Sequence, residues 1–131
     1  MIDLREISTP ALAYLGDCVI ELCVRRHLVE SGLNTSAHLN KAALDYVKAS
    51  AQAAAMKRLL PHLTEEEEAT YKRGRNAGHG KNTPRSASVS EYRRATGLET
   101  LFGQLYLDGN TRRMNELLDI GYPDLSKVTS G

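Results

Sequence analysis

The sequence predicts an all-α protein. Apolar residues recur at three- and four-residue intervals through most of the chain, capping signals stand where those stretches begin, and no segment alternates convincingly with a period of two. With 131 residues, 41% hydrophobic and 25% charged, the chain has the size and balance of one ordinary globular domain with a real core, and a single domain over residues 1–131 is expected.

The first helix, TPALAYLGDCVIELCVRRHLVE from Thr9 to about Glu30, organises the rest. Thr9 supplies a hydroxyl for an orphan amide, and Pro10 stands where proline forfeits no hydrogen bond. At about 100° per residue, Leu12, Leu15, Val19, Leu22 and Cys23 lie opposite Asp17, while Ala13, Ile20, Val24 and Leu28 flank it. A helix apolar nearly all round is covered on several sides. Asp17 is therefore expected at or near the interior, where a bare carboxylate needs a metal or a donor. Gly16, costing about 1 kcal/mol relative to alanine in mid-helix, suggests another backbone passing beside it.

Ser31-Gly32-Leu33-Asn34 is a stop, and Thr35 or Ser36 caps one long alanine-rich helix to about Leu60, with Leu39, Ala43, Tyr46, Val47, Ala51 and Ala54 as its packing face. Pro61 ends it. Thr64 and Glu67 form a capping box, and the acidic run Glu65 to Glu68 complements the start of a third helix reaching about Ala77. Gly78 to Ser88 is rich in glycine, proline and serine and reads as a basic loop. Ser88 and Glu91 cap a further helix to about Leu107 with the stripe Leu98, Leu101, Phe102 and Leu105, flanked by Gly97 and Gly103. A turn at Asp108 to Asn110 opens a last amphipathic helix (Met114, Leu117, Leu118), closed by Gly121 and Pro123.

No apolar run is long enough to span a membrane and no signal-peptide pattern is present, so a cytoplasmic protein is expected. Cys18 and Cys23 point about 140° apart on one helix, so they are expected as reduced core thiols rather than a disulfide. The four histidines lack metal-ligand spacing. Net charge is +1, yet from Thr70 to Arg94 there are seven basic residues against one acidic. Such a concentration on an otherwise mildly acidic chain points to a polyanion.

Asp17 and Glu99 each sit on a largely apolar helix near a glycine, so docking the glycine-bearing faces would join both carboxylates in one site. Spacing alone leaves the alternative of two partly exposed helix charges. The run Leu12-Ala13-Tyr14-Leu15-Gly16-Asp17 resembles the first motif of ribonuclease III catalytic domains, E-x-L-E-F-L-G-D. Gly97-Leu98-Glu99-Thr100-Leu101-Phe102-Gly103 through Tyr106-Leu107-Asp108-Gly109 resembles the second, D-x-x-E-A-L-I-G-x-x-Y-L-D-G. The resemblance covers roughly residues 9 to 120 and is nearest to the Mini-III ribonuclease subfamily, sharing its ALAY-x-GD, its acidic run and Arg73-Gly74-Arg75-Asn76-Ala77. Two family glutamates fall here on Pro10 and Ala13, and a family aspartate falls on Thr96.

The resemblance implies an all-α homodimer in the ribonuclease III endonuclease fold that cleaves double-stranded RNA, with Asp17 and Glu99 as catalytic ligands of Mg²⁺. Glu21, about 40° from Asp17 on the same helix, is a weaker candidate for a third ligand, at a position the family does not use. It implies in-line attack on a backbone phosphodiester, leaving 5′-phosphate and 3′-hydroxyl ends, and maturation of both ends of the 23S ribosomal RNA precursor. Tyr14 matches an aromatic position of the family's dimer contact, with a core tyrosine as the alternative. Larger relatives carry a separate double-stranded-RNA-binding domain, and none is expected here. RNA contacts are then expected from Lys72, Arg73, Arg75, Asn76, Lys81 and Arg85, with His79 a weaker candidate. A large-subunit ribosomal protein is a candidate partner. The missing carboxylates leave one rival, a catalytically silent ribosome-assembly protein of the same fold that binds RNA; a helical protein-interaction module is weaker still.

Overall fold

The computed structural model describes residues 3, 6–77, 88–123 and 125. Its helices are α1 (Thr9–Glu30), α2 (Ser36–Val47), α3 (Ala49–Leu59), α4 (Glu65–Ala77), α5 (Val89–Leu107) and α6 (Thr111–Gly121), with a 3-10 turn at Leu60–His62. No strand occurs among the described residues, as the periodicity predicts. Gly78 to Ala87, and with them His79, Lys81 and Arg85, lie outside the described residues.

Local chemistry sets most boundaries. Ser8, rather than Thr9, caps α1, its hydroxyl accepting from the Ala11 N–H at 3.2 Å. Both capping boxes form: Thr64 and Glu67 exchange bonds of 2.9 and 3.1 Å, and Ser88 and Glu91 exchange two of 3.1 Å. Gly109 takes φ 73° in the turn before α6, a left-handed conformation that glycine adopts without steric cost.

The single long alanine-rich helix is two helices. Lys48, at φ −65° and ψ 153°, is extended and ends α2 while starting α3. No glycine or proline announces this break. Its cause is tertiary: α2 packs on α1, whereas α3 packs on α5 and α6, and one straight rod would not reach both. The break resets the helical phase, so Ala54 is exposed while Gln52, Ala53, Ala55, Met56 and Leu59 are buried.

α5 is the central element, flanked by α1, α3 and α4. Leu98, Leu101, Phe102 and Leu105 meet Ile20, Val24, Met56, Tyr71 and Leu117 in the core. α1 and α5 run antiparallel and almost touch: a Cβ on Gly16 would overlap the Glu99 carbonyl, and one on Gly103 would overlap the Leu12 carbonyl. Gly97 serves a different neighbour, the Tyr71 ring of α4. At the other end, buried Glu67 takes two bonds from the Arg113 guanidinium, Nε at 2.8 Å and an Nη at 2.9 Å, tying α4 to α6.

Candidate active site

The antiparallel crossing puts Asp17, the residue after Gly16, beside Glu99. The two helices can come this close only because the contact residues lack side chains. Glu99 is half-buried and Asp17 is exposed, so the expectation of an interior Asp17 is corrected: α1 turns its Leu12, Gly16, Val19, Ile20, Val24 and Leu28 face inward and leaves Asp17 at the rim. The Glu99 carboxyl is pushed up to about 8, first by burial and then by the Asp17 charge, and in its protonated form it hydrogen-bonds Asp17. The amide of Gln52, a buried α3 residue, also bonds Glu99 and acts in the opposite direction.

Gln52 is a site residue that the sequence reading missed. Its only signal was a lone amide in an alanine-rich stretch, and the break at Lys48 decides which way that amide faces. Tyr122 is buried after α6, donating its hydroxyl to the Tyr46 carbonyl at 3.1 Å and meeting the Tyr46 ring edge-on at 6.1 Å. Burial, then the Glu99 charge, raises its phenol well above the ordinary value.

Other candidates fall elsewhere. Glu21 pairs with Arg25 at 2.6 Å, and the Thr96 hydroxyl donates to the Tyr92 carbonyl at 2.9 Å. Among the described residues no group of three His, Cys, Asp or Glu side chains could hold a metal ion. Asp17 and Glu99 suffice for an ion that binds through one or two carboxylates and keeps its waters, as Mg²⁺ does. The electrostatics fit as well: burial and the Asp17 charge both disfavour a second negative charge on Glu99, a cost that a cation beside the two carboxyls would relieve.

Among the described residues, the expected RNA contacts divide: Lys72, Arg75 and Asn76 lie on one face of α4 and Arg73 turns to another. Lys72 pairs with Glu68 at 3.2 Å on the exposed flank of α4. Arg73 lines a cleft of about 750 Å³ with Gln104, Asp108 and Arg112, across α5 from Glu99. Arg75 and Asn76 line a separate groove with Arg93 and Arg94 of α5. Tyr14 is 86% exposed, which excludes the core alternative. Cys18 is exposed and Cys23 half-buried, both free, so only Cys23 approaches the expected core thiol.

Residues 10–110 match the model of the Ribonuclease III domain. The chain belongs to the ribonuclease III family. The Mini-ribonuclease 3 of Symbiobacterium thermophilum is 49% identical over 108 residues, 82% of each chain. That of Enterococcus faecalis is 42% identical over 121 residues, 91% of each. A Fusobacterium nucleatum protein of known crystal structure superposes with a TM-score of 0.82 at 34% identity, covering 92% of this chain and 95% of that one. Membership of the ribonuclease III family makes the protein an endoribonuclease, and within that family its similarity is to the Mini-ribonuclease 3 group. No helix among the described residues is long and apolar enough to cross a membrane.

Proposed function

We propose that the protein cleaves double-stranded RNA with Mg²⁺ held by Asp17 and Glu99, and that its substrate is the 23S ribosomal RNA precursor, trimmed at both ends. The observation that carries this reading is the carboxyl pair itself: two acids from α1 and α5 set against one another, with Glu99 raised to about 8. A structural charge gains nothing from such an arrangement, whereas a cation site needs it. The ribosomal substrate rests on the likeness to proteins named Mini-ribonuclease 3.

Within the site each residue has a task. Asp17 and Glu99 supply the negative oxygens, Glu99 giving up its proton on loading. Gln52 bonds the Glu99 carboxyl through its amide, and Tyr122 is a buried, uncharged neighbour near enough to feel the Glu99 charge. The cation, when bound, supplies Lewis-acid polarisation of phosphate and a more acidic water. Hydrolysis in which water attacks phosphorus and the bond to the 3′-oxygen breaks, leaving 5′-phosphate and 3′-hydroxyl ends, is what the likeness to ribonuclease III implies.

Two such sites, one per subunit of a symmetric dimer, would cut both strands. The support is an apolar stripe on α1 that is exposed among the described residues, with Tyr14 86%, Leu22 62% and Val29 58% exposed. A large-subunit ribosomal protein is the partner proposed at the substrate. Incubating a long RNA duplex with the protein, with and without Mg²⁺, tests the reading: Mg²⁺-dependent scission into 5′-phosphorylated duplex fragments is expected, and an intact duplex at every Mg²⁺ concentration would overturn it.

A further inference from the structure

Gln52 is a buried amide in the first turns of α3, 4% exposed, alongside the buried Ala53, Ala55, Met56 and Leu59 of the same helix. In one unbroken rod it would stand nine residues beyond Ala43, the buried residue of α2, and so about 180° around from it, facing outward. The break at Lys48 turns it inward instead, where its amide donates to the Glu99 carboxyl. A primary amide brings two N–H donors and a carbonyl into the interior, and each bond it fails to make there costs about 1–3 kcal/mol. Alanine or leucine would avoid that cost, and the buried positions of α3 are otherwise apolar. The bond to Glu99 is what this amide adds.

We infer that Gln52 is a positioning residue of the cation site, restraining the Glu99 carboxyl for coordination and acting through it rather than on the cation. The inference rests on the reading of Asp17 and Glu99 as a Mg²⁺ site. Two properties of an amide suit the task. It is neutral, so it restrains a carboxylate without cancelling the negative charge that draws a dication, as a lysine or arginine at the same place would. It also projects from a helix that the core fixes, so the torsions of the glutamate side chain are restricted before the cation arrives and less ordering is left to binding. Outer partners of this kind orient metal ligands, and losing one commonly lowers metal affinity about ten- to a hundredfold. Gln52 lies outside both family motifs, between them in the chain. On this assignment α1 and α5 supply the two acids, and α3 sets the geometry of the second.

The test titrates the full chain with Mg²⁺ alone, without RNA, and follows binding by calorimetry in wild type, Gln52→Leu and Gln52→Met. Both variants keep roughly the volume of glutamine and lose the donor, and flexible methionine serves where leucine packs badly. Mg²⁺ affinity is expected to fall about tenfold or more, while the melting temperature in Mg²⁺-free buffer holds or rises, because an apolar side chain then fills an apolar site. Single-turnover cleavage of an RNA duplex should need about tenfold more Mg²⁺ to reach half its maximal rate, with the maximal rate itself largely recovered at saturating Mg²⁺. In a Glu99→Gln background, Gln52→Leu should lower Mg²⁺ affinity no further, since its effect passes through the carboxylate. Equal Mg²⁺ affinity and an equal Mg²⁺ midpoint in wild type and a folded variant would overturn the assignment. A maximal rate that falls together with the melting temperature and is not recovered by Mg²⁺ would also overturn it, as the mark of a packing role. A further loss of affinity in the Glu99→Gln background would make the amide a ligand in its own right, and the assignment would fail. A wild type that neither binds Mg²⁺ nor cleaves the duplex would instead remove the reading on which the assignment rests.

Discussion

Gly16 lies directly under the carbonyl of Glu99, so close that a methyl group in place of its hydrogen would overlap the oxygen. The obstacle is backbone and has no rotamer through which to move. Gly16→Ala should therefore destabilise the protein by about 2 kcal/mol or more, because overpacking outweighs the helix propensity gained by alanine. The same displacement would part Asp17 from Glu99. Urea midpoints should fall, and single-turnover cleavage of an RNA duplex by the fraction still folded should fall further; retained cleavage would show that the crossing does not set the site.

Asp17→Asn separates structural from chemical roles. Asp17 is exposed, and an amide oxygen in its place can still accept from the half-buried Glu99 carboxyl, while the charge that helps raise Glu99 is gone. Melting temperature without Mg²⁺ should hold or rise. Cleavage should fall at least roughly a thousandfold, about 4 kcal/mol of transition-state stabilisation. Glu99→Gln should match it, and the double variant should be little worse, since both disable one shared ion. Strictly additive losses would mean two separate sites.

Much of this was legible in advance, for identifiable reasons. The two capping boxes, the stripe of α5 and the close approach at Gly16 are local signals that name their own consequences. The glycines beside acids on two apolar helices allowed Asp17 and Glu99 to meet but left open two separate surface charges, and it was the likeness to the family motifs that singled out the pair. The break at Lys48 was not legible, because its cause is what α2 and α3 pack against. Gln52 was hidden by that same break. Asp17 was placed too deep because an all-round apolar helix was taken as fully covered, whereas part of its apolar surface, Tyr14 and Leu22 included, faces outward.

Glu99 also makes stability depend on pH. Its carboxyl goes from an ordinary value of 4.5 to about 8 on folding, so between those limits the folded chain holds a proton that the unfolded chain has lost. Stability then falls as pH rises through that window, by at most about 1.4 kcal/mol per pH unit. Melting in Mg²⁺-free buffer from pH 5 to 8 should show this decline in wild type and a flatter profile in Glu99→Gln. Mg²⁺ should bind more tightly as pH rises and release a proton near neutrality, measurable by calorimetry in buffers of different ionisation enthalpy. A profile identical in both proteins would mean that Glu99 ionises normally.

The Glu67 and Arg113 pair acts with the opposite sign. Its two bonds from Arg113 hold the Glu67 carboxyl below the usual range, against the cost of burial. That contribution is present above about pH 4.5 and is lost as pH falls through the lowered value. Glu67→Gln should cost about 3 kcal/mol at neutral pH, since it strands Arg113 and weakens the cap of α4. Arg113→Ala should cost a similar amount, and the double variant should cost less than the sum. Additive denaturation midpoints would mean that the ion pair does not couple α4 to α6.

The α1 stripe leads to the last prediction. Tyr14, Cys18, Leu22 and Val29 fall within about 80° of one another around the helix and extend about 22 Å along it. The bulky residues of that set, Tyr14, Leu22 and Val29, are among the most exposed apolar side chains of the chain. A stripe of this kind on one rigid helix is self-complementary about a two-fold axis, the commonest symmetry of soluble assemblies. Light scattering of the wild type at micromolar concentration should give the mass of a dimer. Tyr14→Arg should give a monomer with an unchanged melting transition at low concentration, because Tyr14 is 86% exposed and contributes little to the core. Asp17 and Glu99 would stay intact in that monomer, one site without its twin. It should still break a strand when Mg²⁺ is present, but its products from a long duplex should be nicks, separable only on a denaturing gel, where the dimer leaves paired cuts. A wild type that scatters as a monomer, or a Tyr14→Arg variant that remains dimeric, would assign this surface to another partner.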